Sequence, residues 1–133
     1  MGYRVVQASD LEWEERTPPE GRENDPSRHA ADLTTAAGLG RSRARLWRYP
    51  PGSRGRRHAD KAQEEVFVVL EGTLTMHLGE PAEQVELAPH GVVVVEPGTP
   101  LQLRNDGDRD ALVFIYGAPP EQAGADFFPD AAP

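Results

Sequence analysis

The stretch that decides the fold is PPGSRGRRHADKAQEEVFVVLEG, residues 50–72. It opens on a Pro-Pro-Gly turn signal and closes with a run of β-branched and aromatic residues that is typical of a strand. Just before that run lie one histidine and two carboxylates, His58, Asp60 and Glu65, beside four basic residues. The pattern allows three interpretations: a metal site, a catalytic acid–base pair, or the charged rim of a pocket without chemistry of its own.

On both sides of this stretch, short apolar runs separated by Gly and Pro recur without helical patterns between them. This pattern is typical of an all-β sandwich or barrel. The chain has 13 Gly and 13 Pro to end those runs. EVFVVLEG and TLTMHLG, residues 65–79, are predicted to form a hairpin around a Glu-Gly turn. VVVV, residues 92–95, does not alternate with polar residues, so it predicts a strand that is covered on both faces.

The two ends of the chain read differently from its middle. YRVVQA, residues 3–8, predicts a first strand; residues 14–28 predict a loop; and HAADLTTAAG, residues 29–38, predicts one helical turn. Near the C-terminus, Phe127 and Phe128 are expected to dock on the barrel or on a second subunit. The predicted organisation is a single domain with an N-terminal strand and loop at 1–40, a barrel at 41–117 and a Pro-rich tail at 118–133.

Length and charge limit the functions that need to be considered. A chain of 133 residues suits one domain, and its net charge of -8 disfavours binding to nucleic acid or to anionic membranes. The absence of cysteine excludes disulfides and thiolate zinc sites. With no signal-peptide or membrane-span pattern, the expected location is the cytoplasm. The arginines between residues 41 and 57 nevertheless form a local basic cluster, which indicates either a small-anion site or a solvated strand edge.

The spacing of the opening stretch resembles the first motif of the cupin superfamily, G-x5-H-x-H-x3-4-E-x6-G. Gly52, His58, Glu65 and Gly72 stand at the motif's glycine, first-histidine, glutamate and final-glycine positions. HGVVVVEPGTPLQLRN, residues 90–105, is similar to the second motif, with Gly98, Thr99, Pro100 and Asn105 in place. The resemblance implies a small antiparallel jelly-roll barrel that holds a metal or a ligand in its mouth, and commonly a homodimer.

The chain departs from the cupin pattern at the metal ligands. Asp60 stands where the family has its second histidine, and Leu101 where it has its last. The resemblance therefore implies a degenerate metal site of His58, Asp60 and Glu65, which is either empty or holds a divalent ion such as Mn, Fe, Ni or Zn weakly. Since leucine cannot ligate, a compensating ligand would have to come from another residue. Of the other histidines, His77 and His90 are expected to be exposed and inert.

Without a metal, His58 becomes a candidate general base with Asp60 as the carboxylate that orients it, since alternate residues of a strand share a face. The resemblance extends to metal-free sugar-nucleotide epimerases, which use a histidine base assisted by a carboxylate and a tyrosine acid. Tyr49 and Tyr116 are candidates for that acid by residue type alone. The alternative is that His58 and Asp60 belong to a solvated charged rim.

Three functional hypotheses follow. The favoured one is a protein that binds a small molecule in the barrel, with an anion as the candidate that the basic cluster indicates. The second is an enzyme, either a metal-dependent oxygenase or isomerase or a metal-free epimerase or lyase, and the third is a non-catalytic protein that binds a partner through its tail. Besides the metal-ligand candidates, the residues predicted to contact a ligand are Arg56, Arg57, Phe67, Leu101 and Trp47. The alternative for Phe67 and Trp47 is ordinary packing in the core, which is the commoner role of such residues.

Overall fold

The structure is a computed structural model that describes residues 2–120 and 123–132. The parts of the predicted segments 1–40 and 118–133 that fall on residues 1, 121, 122 and 133 lie outside it. Within the described ranges the chain forms eleven strands, one α-helix and one 3-10 helix. The strands are β1 Trp13–Arg16, β2 Arg28–Asp32, β3 Arg43–Tyr49, β4 His58–Asp60, β5 Glu64–Glu71, β6 Leu74–Leu78, β7 Glu83–Leu87, β8 Val92–Val95, β9 Leu101–Arg104, β10 Ala111–Ala118 and β11 Ala125–Phe127. The helices are Ala8–Asp10 (3-10) and α1, Leu33–Ala37. Neither helix in this part of the chain is long and apolar enough to cross a membrane.

The strands form two antiparallel sheets. The described residues give a six-stranded sheet in the order β1-β2-β3-β10-β5-β8 and a five-stranded sheet in the order β11-β4-β9-β6-β7. Their facing sides share one apolar core, to which the first sheet contributes Phe67, Val69 and Val113 and the second Leu74 and Met76. Each such side chain contributes about 1.5–3 kcal/mol when it leaves water. The predicted all-β antiparallel jelly roll is confirmed.

The predicted hairpin of residues 65–79 is wrong. β5 lies in the six-stranded sheet, where β10 and β8 already pair with both its edges, so β6 has no edge to join. The chain instead crosses to the other sheet at Gly72, whose φ of 71° belongs to the left-handed region. A Cβ at this position would overlap the backbone carbonyl of Asp110, so the crossing requires glycine. The chain does turn at Glu71-Gly72, as predicted, but the strand after the turn joins the other sheet.

The N-terminal predictions are corrected in two places. Residues 3–8 are not a strand: Val5 is 68% exposed, Ala8 begins the 3-10 helix, and no strand of the described chain includes residues 3–7. The segment 14–28, predicted as a loop, contributes most of β1 and the start of β2, which extend the sheet from β3. β1 pairs with β2 and β2 pairs with β3, so contacts between strands outweigh local propensity at residues 13–16 and 28–32. The predicted helical turn is confirmed as α1, whose N-terminus is capped by Asp32 accepting from the backbone N–H groups of Thr34 and Thr35.

The prediction that residues 92–95 are covered on both faces is not met within the chain. Val93 and Val95 pack inward, whereas Val92 and Val94 are 54% and 57% exposed. β8 is the edge strand of its sheet, so the outward valines have a neighbour on one side only.

The tail docks on the barrel, although its two phenylalanines stay partly exposed, Phe127 at 55% and Phe128 at 37%. β11 pairs with β4, with Phe127 opposite His58. Farther along, the Gln102 amide donates to Asp130 and accepts from the backbone N–H of Ala131, at 3.0 and 2.9 Å. The tail thereby covers the outer face of the five-stranded sheet around Gln102. His77, paired with Gln102 in register, is only 3% exposed, so the expectation of an exposed His77 is wrong.

Candidate functional site

An open cavity of about 470 Å³ is lined by residues of both sheets, including β1, β2 and β3 from the first and β4 and β11 from the second. It contains most of the residues singled out in the sequence: Trp47, Arg56, His58, Asp60, Glu65, Phe67 and Leu101. The size is within the range of about 300–1,000 Å³ that small-molecule sites occupy.

His58, Asp60 and Glu65 meet at one wall of this cavity. His58 and Asp60 alternate along β4 and share its inner face, while Ala59 between them is buried on the other side. Glu65 stands near the start of β5 in the facing sheet. One potential ligand atom from each of the three residues lies within 4.8 Å of the others, and this is the one such group in the described chain.

The His58 ring is oriented by a backbone carbonyl. Its Nδ1 lies 3.1 Å from the carbonyl oxygen of Arg56, and since that oxygen can only accept, Nδ1 carries the hydrogen. In the neutral ring Nε2 then presents a lone pair, and it lies 3.8 Å from Oδ2 of Asp60. Asp60 therefore faces the basic nitrogen of His58 instead of holding the opposite one, which differs from the orienting role predicted for it.

The acceptors at this wall fit a cation. Oδ2 of Asp60 is buried and has no hydrogen-bond donor among the described residues. Glu65 is 8% exposed and contributes a second carboxylate. One imidazole lone pair and two carboxylates in so small a space form a donor set that suits a divalent metal ion. An imidazole whose other nitrogen donates to a carbonyl is also the usual arrangement of a metal-bound histidine.

The fourth ligand position of the motif is not compensated. Leu101 pairs with His58 in register and lines the cavity with an apolar side chain that is 1% exposed. His77 lies on the outer face of its sheet with Arg104 at 3.5 Å, and His90 is exposed in a turn, so neither lines the cavity. The described residues therefore supply three protein ligands at most.

Five arginines line the same cavity: Arg16, Arg28, Arg43, Arg45 and Arg56. Against the two carboxylates of Asp60 and Glu65, they leave a formal charge of +3 with His58 neutral. Burial, together with the charges of Arg43 and Arg16, lowers the pKa of Arg45 from its ordinary value. A basic group whose pKa is lowered in this way gains from an anion placed beside it.

Arg16 and Arg28 were missed in the sequence because they lie in the segment that was predicted as a loop. Their position follows from β1 and β2 pairing beyond β3, with Arg16 opposite Arg28. In the sequence, only an arginine in each of two short polar segments marked these positions. The pairing of β1 with β2, and of β2 with β3, brings both side chains to the cavity.

Aromatic rings hold several of these guanidinium groups in place. Arg28 stacks 4.6 Å from the centre of the Trp47 ring and donates to the Tyr49 hydroxyl at 3.1 Å. Arg56 lies 3.8 Å from the centre of the Phe127 ring. Burial raises the pKa of the Tyr49 phenol, so this group stays neutral and able to hydrogen-bond. Tyr116, the other candidate acid, lies on the outer face of the sheet and does not line the cavity.

Arg57 does not belong to this set. It is buried on the opposite side of the chain from Arg56, donating to the carbonyl of Gly79 at 3.1 Å and to Glu80 at 2.8 Å. It also contacts the Phe128 ring. Its position corrects the prediction of a ligand contact, because alternation along the chain places it on the other face.

Asn105 of the second motif is structural. Its buried amide donates to the backbone carbonyls of Tyr49 and Arg109, both at 2.7 Å. Likewise, the N–H of Gly98 donates to the backbone carbonyl of Asp60 at 2.7 Å and holds the second motif against the first. These bonds fix the strand ends that carry the site.

Two antiparallel sheets with His58, Asp60 and Glu65 at the cavity between them are the arrangement of a cupin. Sequence comparison gives the same class. Residues 45–116 match the Cupin domain family, so the chain belongs to the cupin family. No curated protein matches the chain.

Several solved structures share the fold. A cupin-superfamily sugar phosphate isomerase from Silicibacter pomeroyi is 21% identical, with 94% of this chain and 92% of that one covered and a TM-score of 0.76. A predicted oxalate decarboxylase from Thermotoga maritima is 19% identical, with 88% and 100% covered and a TM-score of 0.74. The polyketide cyclase RemF from Streptomyces resistomycificus is 20% identical, with 93% and 84% covered and a TM-score of 0.73. At these identities the similarity establishes the fold alone.

Proposed function

We propose that this cupin binds a small anionic molecule in the barrel cavity, beside a weak divalent-metal site. The observation that carries the proposal is the convergence of five arginines on one cavity in a chain whose net charge is -8. Among the described residues, Arg28, Arg43 and Arg56 form no salt bridge with a carboxylate. Arg28 and Arg43 are half-buried and Arg56 is exposed at the cavity. Cations that are partly removed from water and have no anionic partner favour a ligand that supplies one.

The metal part of the proposal rests on His58, Asp60 and Glu65. Two carboxylates and one imidazole suit Mn²⁺, Fe²⁺, Ni²⁺ or Zn²⁺, and the apolar Leu101 in place of a fourth ligand makes the binding weak. A bound ion would act as a Lewis acid toward a ligand oxygen. The protein's own contribution is to hold the three acceptors on two facing strands and to keep the His58 lone pair directed at them.

The alternative function is an isomerase or epimerase that uses His58 as a base. The observation in its favour is that Nδ1 is engaged by the Arg56 carbonyl, which leaves Nε2 as the acceptor toward the cavity. Tyr49 also lines the cavity as a neutral phenol that could serve as the acid. The similar structure from Silicibacter pomeroyi is described as a sugar phosphate isomerase, which makes isomerisation of a sugar phosphate the first reaction to assay.

For the partner-binding hypothesis, the outer face of the six-stranded sheet is a better candidate contact surface than the C-terminal tail. The tail is engaged by its own barrel through β4 and Gln102, which disfavours it as a free contact element. The outer face of the six-stranded sheet, in contrast, is apolar at its edge. We propose that this face forms a homodimer.

The anion-binding proposal is tested by calorimetry on the full chain. Inorganic phosphate, glucose 6-phosphate and 2-naphthoate are compared with the neutral molecules glucose and 2-naphthylmethanol. At least one anion is expected to bind tighter than its neutral counterpart. Replacing both Arg43 and Arg45 by Gln is expected to weaken it by about a hundredfold or more, since each bond to a charged group contributes about 1.5–3 kcal/mol and the double replacement removes two.

The matched control is the double replacement of Arg41 and Arg109 by Gln, because both side chains are exposed and lie outside the cavity. It removes the same charge from the whole protein. Equal losses in the two double variants would attribute binding to general electrostatics and contradict the proposal. So would binding of neutral and anionic molecules with equal affinity.

A further inference from the structure

The cavity has a wall that offers no hydrogen bonds. Phe67, Leu101, Leu103 and Ile115 line it with hydrocarbon alone, and three of them are less than 5% exposed. They come from both sheets, β5 and β10 on one side and β9 on the other. A ligand that reaches this wall exchanges water for apolar contact only.

This wall discriminates between classes of anion. A sugar phosphate placed against it would leave hydroxyl groups buried without partners, at a cost of about 1–3 kcal/mol for each group. A hydrocarbon or aromatic ring would instead be stabilised by the same contact. The replacement of a histidine ligand by Leu101 adds to the effect, because it turns the position opposite His58 from a polar group into an apolar one.

The arginines stand beside this wall at the same level of the barrel. Across the strands, Arg45 pairs with Ile115, and Ile115 pairs with Phe67. Neighbouring strands are about 4.8 Å apart, so the backbone of Arg45 lies one strand spacing from Ile115 and two from Phe67. A ligand with an acidic group attached directly to a ring is short enough to contact both Arg45 and the apolar side chains.

Two aromatic rings also line the cavity near the arginines. Trp47 and Phe127 line the cavity with their rings, and each of them stacks against a guanidinium group, Arg28 or Arg56. Among the described residues, the two cavity arginines of β3, Arg43 and Arg45, contact no aromatic ring. Their guanidinium groups are therefore the ones left to pair with a carboxylate, which a guanidinium can bind through two parallel N–H groups.

We infer that the ligand is an aromatic carboxylate, with its ring on the wall of Phe67, Leu101 and Ile115 and its carboxylate at Arg43 and Arg45. The inference rests on the proposed anion-binding function and specifies its ligand class. His58, Asp60 and Glu65 then face the edge of the ring, where a ring substituent such as a hydroxyl group can donate to them.

The test is a ranking of Kd values by calorimetry with the full-length protein and needs no variant. The probes are 2-naphthoate, glucose 6-phosphate, inorganic phosphate and 2-naphthylmethanol. We expect 2-naphthoate to bind about tenfold or more tighter than each of the other three. If glucose 6-phosphate or phosphate binds tighter than 2-naphthoate, the inference is overturned while anion binding stands. If no anion binds, or if 2-naphthylmethanol equals 2-naphthoate, both are overturned.

A substitution in the apolar wall provides a second, independent test. Leu101→Asn is expected to weaken 2-naphthoate and to strengthen glucose 6-phosphate, because the wall gains hydrogen-bonding groups. The control is Leu70→Asn on the outer face, where the side chain is 39% exposed. If Leu101→Asn does not fold, the milder Phe67→Leu replaces it, with a several-fold loss expected for 2-naphthoate alone. Loss of both ligands to the same degree would overturn the role given to the wall.

Discussion

At the scale of single residues, the geometry around His58 determines what the site can bind. A backbone carbonyl, which does not titrate, fixes the hydrogen on Nδ1. The lone pair on Nε2 and the Asp60 carboxylate consequently face each other at 3.8 Å, a distance that leaves room for a cation shared between them.

This geometry predicts weak but specific metal binding. Asp60→Ala and Glu65→Ala should each lower the affinity for Mn²⁺ or Zn²⁺ by at least about tenfold to a hundredfold, the loss seen even for outer-shell partners of a metal. Elemental analysis of chelator-free protein and calorimetry measure the effect. Glu64→Ala is the matched control, because Glu64 is adjacent in sequence but exposed on the outer face. A loss equal to that of Glu65→Ala would contradict the assignment.

The same site predicts a gain of affinity. Leu101→His restores an imidazole opposite His58, as their register pairing requires. A fourth ligand should tighten Zn²⁺ binding by about tenfold or more. An unchanged Kd in a folded Leu101→His protein would show that this position does not reach the metal.

His77 predicts the acid sensitivity of the fold. Burial first, and then the charge of Arg104, lowers the pKa of His77 below its ordinary 6.5, with Arg57 acting in the same direction and Asp106 opposing it. The unfolded chain therefore binds this proton more readily than the folded one. The stability is fully present above pH 6.5 and declines as the pH falls toward the lowered pKa.

Denaturant unfolding at several pH values measures this decline, and His77→Asn should flatten it between pH 6.5 and lower values. The control is His90→Asn, because His90 is exposed and asparagine tolerates its positive φ of 74°. If the decline is unchanged in His77→Asn, another group is responsible for it.

At the scale of elements, what could be predicted from the sequence follows the range of the interactions. The alternation that places His58 and Asp60 on one face is local, so the spacing of the motif was enough to predict it. The contribution of Arg16 and Arg28 depends on β1 and β2 pairing beyond β3, and no local pattern carries that information. The same holds for the chain crossing at Gly72, since the turn residue indicates a turn but not the sheet that the next strand joins.

The tail is the element whose role at the site is open to direct test. Phe127 lines the cavity and stacks on Arg56, whereas the neighbouring Phe128 contacts Arg57 outside it. Phe127→Ala should therefore weaken 2-naphthoate by about five- to thirtyfold, which corresponds to about 1–2 kcal/mol for the lost ring contacts. Phe128→Ala is the control, measured by the same calorimetry. Equal affinities in the two variants would show that β11 is only a structural addition to the sheet.

At the scale of the whole molecule, the outer face of the six-stranded sheet has the composition of an interface. Register pairing places Val92, Val68, Phe114 and Leu46 in one row across four strands, and Val94, Val66 and Tyr116 in the next. An antiparallel sheet that faces water normally carries polar residues there. Contiguous apolar surface of this kind marks a contact site.

The proposed homodimer would cover this face with a second copy related by a two-fold axis. Since such symmetry brings each interface residue into the contact twice, Val94→Lys would introduce two unpaired charges, each costing several kcal/mol if buried. We expect the wild type to sediment as a dimer and Val94→Lys to raise the dimer Kd by at least about a hundredfold. Val5→Lys adds the same charge at a side chain that is 68% exposed outside both sheets, and it should remain dimeric. A monomeric wild type, or a Val94→Lys protein that still dimerises, would place the molecule's contacts elsewhere and leave this face as exposed surface.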